Sequence, residues 1–276
     1  MGTHASVAPM QEGMVFREST ALANQVRDAF VAEVLAILGS TAVLWLPRTS
    51  EASTSTTDRT LNAATGTYNA ASVYVAYGSG VGKTFNGTTT TLTFPNSTLF
   101  QFGDGVNDYA FSGGVLFKPT ISGSTARNIM GRYDLTSGLT KLEWRFYLDI
   151  NSVVNIQLVD DSATAATIGR SISTALTTAV STLLTWTYDG SKASTGLRIY
   201  KDGARADDTT QSSGTYVAME AFNQALRVGF HISSVPDNTN FMQADAMLAF
   251  LTQKALSQHE NKALALSVNS FSGLSL

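Results

Sequence analysis

The chain has 276 residues, 43% of them hydrophobic and only 14% charged, against about 25% charged in an average soluble domain. Its formal net charge is −3, and its 18 basic residues are scattered singly, which leaves no footprint for nucleic acid. No cysteine is present, so disulfides, zinc–thiolate sites and cysteine nucleophiles are excluded together.

Residues 1–16, with Pro9 and Gly13 and no periodicity, read as an extended arm. The first ten residues carry no basic cluster followed by an apolar run, so no secretory signal is expected and folding is expected in a cytoplasm. From Arg17 to Leu38 the spacing predicts a helix: Leu22, Val26, Ala29, Phe30, Val34, Ile37 and Leu38 recur every three or four residues, and Gly39 is a suitable stop. Val31 and Leu35 widen the apolar stripe beyond the need of a lone surface helix. Two readings follow: a helix packed on the domain after it, or a docking and oligomerisation helix presenting Leu22, Val26, Phe30, Val34 and Ile37. On the second reading residues 1–40 form a separate leader and 41–276 the main domain. The apolar stretch from Ala29 to Leu46 holds one charge, Glu33, but Gly39-Ser40-Thr41 divides it. Each piece is too short to cross about 30 Å of hydrocarbon, and no membrane partner is expected.

Beyond a polar loop from Glu51 to Thr60, Tyr77 to Thr84 reads YGSGVGKT. A phosphate loop needs glycine five positions before its Gly-Lys-Thr, where this chain has Tyr77, and a helix after it. Phe85-Asn86-Gly87 and the threonine run read as strand instead, so no nucleotide is expected. Thr88 to Phe94 is β-branched and predicts a strand. In Lys141 to Ile150, Leu142, Trp144, Phe146, Leu148 and Ile150 share one face, and Glu143, Arg145, Tyr147 and Asp149 the other. Val153 to Val159 follows after Asn151-Ser152, predicting a hairpin. Leu183 to Tyr188, Asp189-Gly190, Leu197 to Lys201 and Asp202-Gly203 predict three strands and two tight turns, since Asp-Gly supplies the positive φ such turns need. Short strands continue to Leu251, and a last helix starts after Ser257, with Glu260 completing a capping box. Many short strands separated by turn residues predict a sandwich or barrel.

The wording TWTYDGS (Thr185 to Ser191) and GLRIYKDG (Gly196 to Gly203) resembles the signature hairpin of laminin-G-like domains in the concanavalin A-like lectin/glucanase superfamily. Trp45-Leu46-Pro47, DYAFSGGVLFKP (Asp108 to Pro119), NIMGRYD (Asn128 to Asp134) and KALSQHENKAL (Lys254 to Leu264) resemble further family segments in order, over residues 42–266. The resemblance implies an all-β, two-sheet antiparallel jelly-roll sandwich, here with an N-terminal arm and helix and a short C-terminal helix.

Glycanases of that superfamily carry acids spaced E-x-D-x-(x)-E on one strand face. The nearest match here, Glu143 to Asp149, has Arg145 in place of the middle acid, so no hydrolysis is expected. The three histidines, His4, His231 and His259, are not placed for a catalytic triad. Many relatives bind calcium through loop oxygens. Asp104, Asn107 and Asp108 could supply these, as could Asp237, Asn238 and Asn240. Met247 and Leu248 stand where the family has aspartates, so calcium is expected weakly if at all, and no other cofactor is implied. For sugar, the candidates are Tyr147 with Glu143, Arg145 and Asp149, and Tyr200 with Arg198. Trp144 and Trp186 are expected in the core.

With low charge, abundant Thr, Ser and Gly and an added arm and helix, the chain also resembles jelly-roll proteins of tailed-phage virions. That resemblance implies a non-enzymatic structural protein, a head-fibre-like capsid decoration or a tail-associated component, located in the virion. Its expected partners are further copies of itself (a trimer among the arrangements), other virion proteins and host-surface glycans. A bacterial carbohydrate-binding lectin module is the alternative, and a polysaccharide-degrading enzyme the third.

Overall fold

The computed structural model describes residues 12–48, 54–70, 72–77, 80–120, 125–134, 141–161, 166–230 and 241–276, with side chains for all of these except 12–22 and 134. Its elements run α1 (Glu12–Leu38), β1 (Val43–Trp45), β2 (Ser55–Thr57), β3 (Thr65–Tyr68), β4 (Tyr74–Tyr77), β5 (Gly80–Asn86), β6 (Leu92–Phe94), β7 (Phe111–Pro119), β8 (Arg127–Asp134) and β9 (Lys141–Leu148). They continue through β10 (Val154–Asp160), β11 (Ala166–Ile172), β12 (Thr182–Tyr188), β13 (Leu197–Lys201), β14 (Ala204–Arg205), β15 (Asp207–Ser213), β16 (Leu226–Val228), β17 (Gln243–Thr252) and α2 (Gln258–Ser272). One sheet has the order β14-β13-β12-β7-β17-β5-β4, with β1 also on β17. The other has the order β15-β11-β10-β9-β8-β16-β6-β3-β2. Every pairing between these strands is antiparallel. The fold is the expected all-β sandwich with a helix near each end.

Two cores hold it together. Between the sheets lie Trp45, Phe85, Phe111, Trp144, Phe146 and Trp186, with many aliphatic neighbours. The first sheet's other face is also covered, by α1 and α2, through Phe30, Val34, Leu38, Leu44, Leu116, Leu183, Phe250, Leu264 and Val268. That double burial explains why β12 is buried at every position and β7 at all but Lys118, Ser and Thr included, whereas a strand with one wet face alternates. Strand β1 serves both cores: Val43 and Trp45 enter the first, Leu44 and Leu46 the second. In β17 a register shift between Ala246 and Leu248 turns Met247 and Leu248 to the same, helix-facing side, as a β-bulge does when it inserts one residue.

The hairpins follow their turn residues in part. Asp202 and Gly203, with φ of 53° and 79°, make the two-residue turn from Lys201 to Ala204. Asp189-Gly190 does not make the predicted tight turn. Tyr188 pairs with Leu197, and residues 189–196 form a longer link ending in a 3-10 turn at Ser194–Gly196. In α2 both halves of the predicted capping box form between Ser257 and Glu260.

Helix α1 is longer than predicted and is docked. Phe30 stacks on Phe271 of α2 with ring centroids 4.1 Å apart, and Val34 and Leu38 are fully buried. Of the predicted docking residues, Phe30 and Val34 are buried within their own chain and Ile37 is partly buried, whereas Val26 is exposed. The Leu22 side chain lies outside the described residues. Helix and sandwich share one core across the predicted boundary at residue 40.

Candidate functional site

Most sugar candidates taken from β-strand patterning are engaged inside the protein. Glu143 is buried on the outer face of the second sheet. Its Oε2 accepts from Arg132 at 2.7 Å and its Oε1 from the backbone N–H of Phe222 at 3.0 Å. Burial pushes its carboxyl up to about 8, against the opposing pull of Arg132. The Arg145 guanidinium lies 4.1 Å above the Tyr147 ring and donates to Gln157. That cation–π contact covers one face of the tyrosine. Asp149 Oδ1 accepts the N–H groups of Asn151 and Val153 and so builds the β9–β10 turn. Tyr200 is buried, and Arg198 donates to its own backbone at Leu197. Tyr200 and Arg198 lie on β13 of the first sheet and the other four on or beside β9 of the second. The structure brings the six into no common surface, and Glu143 and Tyr200 are corrected to interior positions.

The predicted metal residues are likewise occupied. Asp108 Oδ2 accepts from the hydroxyls of Tyr188 (2.6 Å) and Tyr216 (2.7 Å), and its Oδ1 from the N–H of Met219 (2.8 Å). Among the described residues no three His, Cys, Asp or Glu side chains gather to hold a metal. His231, Asp237, Asn238 and Asn240 lie outside the described residues. At the phosphate-loop-like segment the chain forms antiparallel strands β4 and β5, and Lys83 is buried with its Nζ 3.6 Å over the Tyr74 ring. Among the described residues no helix N-terminus stands there to receive phosphate. Among the described residues no helix is long and apolar enough to cross a membrane.

Asp104 belongs to a different arrangement. Residues 103–108 form a small hairpin, with Gly103 bridged to Asp108 and the Asp104 N–H donating to the Asn107 carbonyl. Gly105 takes φ of 80° at the first central position, where a two-residue hairpin turn of the II′ kind requires glycine. The Asp104 carboxylate closes the turn, its Oδ1 accepting the N–H groups of Val106 and Asn107. Its Oδ2 accepts the Tyr109 hydroxyl at 2.7 Å. These bonds, led by that from Asn107, hold the Asp104 carboxyl well below the usual carboxylate range, and the same partnership raises the Tyr109 phenol.

Beside this hairpin opens a cleft of about 530 Å3, lined by Thr98, Gln101, Gly103, Asp104, Tyr109, Ala110, Ala221 and Gln253. Its volume falls in the usual range for small-ligand sites, roughly 300–1,000 Å3. The spaces beneath Arg127 and between the sheets at Trp45 hold only about 10 Å3 each, room for about one water. Four parts of the fold meet at the cleft: the 3-10 turn at Thr98–Phe100, the 103–108 hairpin, the segment before β16, and the chain just after β17. Tyr109 is 50% exposed, and its bond to Asp104 fixes the ring. Gln253 Nε2 donates to the Thr98 carbonyl at 2.9 Å and keeps its Oε1 for another group. The Gln101 carboxamide has no partner among the described residues. Such a site can pack an apolar face on the ring while pairing hydroxyls with amide and carboxylate oxygens. The sequence pattern pointed to Asp104 as a metal ligand and missed Tyr109, Gln101, Thr98 and Gln253, because they come together only when loops distant in sequence meet.

No protein-family model and no curated protein sequence matches the chain. Solved structures share its fold. The binding domain of botulinum neurotoxin serotype G superposes with a TM-score of 0.61 at 13% identity, over 84% of this chain and 52% of that one. Botulinum neurotoxin type C, whose cell entry is dependent upon interaction with two ganglioside molecules, gives 0.60 at 12% identity, over 85% and 53%. Trypanosoma rangeli sialidase in complex with sialic acid gives 0.58 at 12% identity, over 92% and 39%. The chain therefore spans about half of the toxin chains and about two fifths of the sialidase. At such identities the likeness establishes the β-sandwich fold.

Proposed function

We propose that the chain is a non-catalytic carbohydrate-binding module that attaches its bearer to a glycan-coated surface, with the Tyr109 cleft as its sugar site. The observation that carries this reading is the exposed Tyr109 ring, bonded to Asp104 on the wall of a roomy cleft of mixed polar and apolar lining. A sugar ring presents C–H groups on its faces and hydroxyls at its rim, so it needs an aromatic face beside hydrogen-bonding groups. The toxin structure tied to gangliosides and the sialidase solved with sialic acid support the reading at the level of fold.

Binding is favoured over hydrolysis by the chemistry of the acids. Glycosidases use two carboxyl groups, one with a raised pKa to protonate the leaving oxygen. Asp104 is shifted the opposite way, and Glu220, whose carboxyl burial raises, lies over the hairpin and not among the side chains that line the cleft. Tyr109 has its phenol raised, whereas a nucleophile is activated by lowering. For setting we propose a tailed-phage virion, supported by the low charge and by the helix that precedes the sandwich. Mass spectrometry of purified particles tests that setting.

The sugar site is tested with the intact chain on a glycan array. Binding should appear and be lost in Tyr109→Ala with the melting temperature retained. Loss in Tyr147→Ala instead would move the site to the outer face of the second sheet, and no binding to any glycan would end the proposal.

A further inference from the structure

The charges around the cleft go beyond the existence of a sugar site, and we infer that it selects uncharged, hydroxyl-donating glycans and rejects those bearing a carboxylate or sulfate. The inference rests on the carbohydrate-binding reading above. Asp104 is held ionised on the cleft wall by its backbone and tyrosine donors. Glu220, next to the lining residue Ala221, lays its carboxylate over the same hairpin: a Cβ on Gly105 would stand 2.8 Å from its Oε2. No Lys, Arg or His lines the cleft among the described residues. The nearby lysines are engaged outside the cleft lining, one of them at the tip of the hairpin. Lys192 Nζ donates to the Val106 carbonyl, and Lys254 Nζ to the Ile37 carbonyl and to Glu260. An anionic sugar would meet negative charge without the guanidinium or ammonium that normally receives a carboxylate.

The polar groups that remain available point the same way. A carboxylate offers about four lone-pair positions. Asp104 Oδ2 uses one on the Tyr109 hydroxyl, with only a long 3.4 Å contact from the Asn107 amide besides. Gln253 has committed its Nε2 to Thr98, and its Oε1 has no partner among the described residues. These free positions are acceptors. A sugar hydroxyl can donate to them, and a carboxylate or sulfate has no proton to give. Gln101 can serve either sense and orient a neighbouring hydroxyl.

The experiment is an array carrying neutral oligosaccharides, each beside its sialylated and its sulfated counterpart, followed by titration calorimetry on the best neutral binder and its two anionic forms. Neutral glycans should bind, and their anionic forms at least about tenfold more weakly, since like-charge juxtaposition suppresses wrong partners. Asp104→Asn should narrow that gap, and Gln101→Ala should weaken neutral binding without narrowing it. Anionic forms that bind as well as neutral ones, and lose binding in a folded Tyr109→Ala variant, would overturn the charge selection while leaving the sugar site standing. Neutral binding that survives Tyr109→Ala, or no glycan binding at all, would instead overturn the sugar site, and this inference with it.

Discussion

Arg132 Nη1 donates to Glu143 Oε2 across 2.7 Å where neither side chain reaches solvent. The same guanidinium donates to the carbonyls of Phe100, Phe222 and Gln224 and to the side-chain oxygen of Asn96. It thereby ties β8 to the segment before β16, whose Ala221 lines the cleft. Removing one member of a buried pair strands its partner without its hydrogen bonds and costs about 3–5 kcal/mol. Arg132→Ala should lower stability by about that much in urea melts. Replacing both partners by apolar residues should not restore it, because three backbone carbonyls would lose their donor. A double variant as stable as the parent would refute that.

Glu143 also gives a pH signature. Burial raises its folded value to about 8 from an ordinary 4.5, so over that interval the folded chain keeps a proton the unfolded chain has lost. Stability contributed by this group is therefore complete below about 4.5 and declines as pH rises to about 8, by at most ~1.4 kcal/mol per pH unit. Glu143→Gln has no such proton to lose, so the gap between parent and variant should shrink across this interval. Parallel curves would show a carboxylate ionised throughout.

The apolar alternation of Trp144, Phe146 and Leu148, the Asp202-Gly203 turn and the Ser257 cap were legible in sequence, because each is set by neighbours along one strand or helix. The opposite face of β9 was misread for a physical reason. Alternation separates the two sides of a strand but does not say whether the polar side meets water. In this protein the segment around Phe222 covers it, so Glu143 became a buried anchor and Arg145 a lid on Tyr147. The cleft escaped pattern reading because Gln101, Tyr109 and Gln253 stand on loops whose meeting is set by the whole sandwich.

The docked half of α1 makes a further prediction. Phe30, Val34 and Leu38 lie in the helix-facing core, and burial of each such side chain is worth ~1.5–3 kcal/mol. Their sum rivals the whole stability of many domains, about 5–15 kcal/mol. A chain beginning at residue 41 should thus aggregate or melt far below the parent in scanning calorimetry, and a parent-like melt would show the helix dispensable. Val26 is the position to probe for assembly, since it is 52% exposed. Val26→Asp should leave the melt unchanged, and a smaller mass by sedimentation would reveal a self-association role.

The Asp104–Tyr109 pair predicts a specific acid titration. A depressed carboxylate contributes stability that is present above its unfolded value and lost as pH falls through its lower folded value. In Tyr109→Phe the Asp104 carboxyl loses one of its supports, the phenolic donor, while the Asn107 and Val106 N–H groups remain. Carboxyl 13C shifts followed against pH should place Asp104 below the ordinary aspartate range in the parent and distinctly higher in the variant. Identical curves would mean that Tyr109 is not held by this carboxylate, and the fixed ring on which the sugar site depends would be lost.

Calcium is the last test, because the resemblance to calcium-binding relatives and the geometry pull apart. Calcium takes six to eight oxygens, and its affinity follows the number of charged ligands free to reach it. Asp108 has committed one carboxylate oxygen to Tyr188 and Tyr216 and the other to Met219. Asp104 is tied to its own turn and to Tyr109. Met247 and Leu248 face the helix-side core and have no side-chain oxygen to offer. To bind an ion, the 104–108 hairpin would have to give up bonds that already hold it closed. Chelator should therefore leave the melting temperature within about 1 °C, whereas an ion at a hundredfold excess over its Kd would add about 2.7 kcal/mol. Asp108→Asn should destabilise the chain equally with and without calcium, because its role is to receive two tyrosine hydroxyls and a backbone N–H. A cost that appears only when calcium is present would reverse that assignment and return Asp108 to the role of ligand.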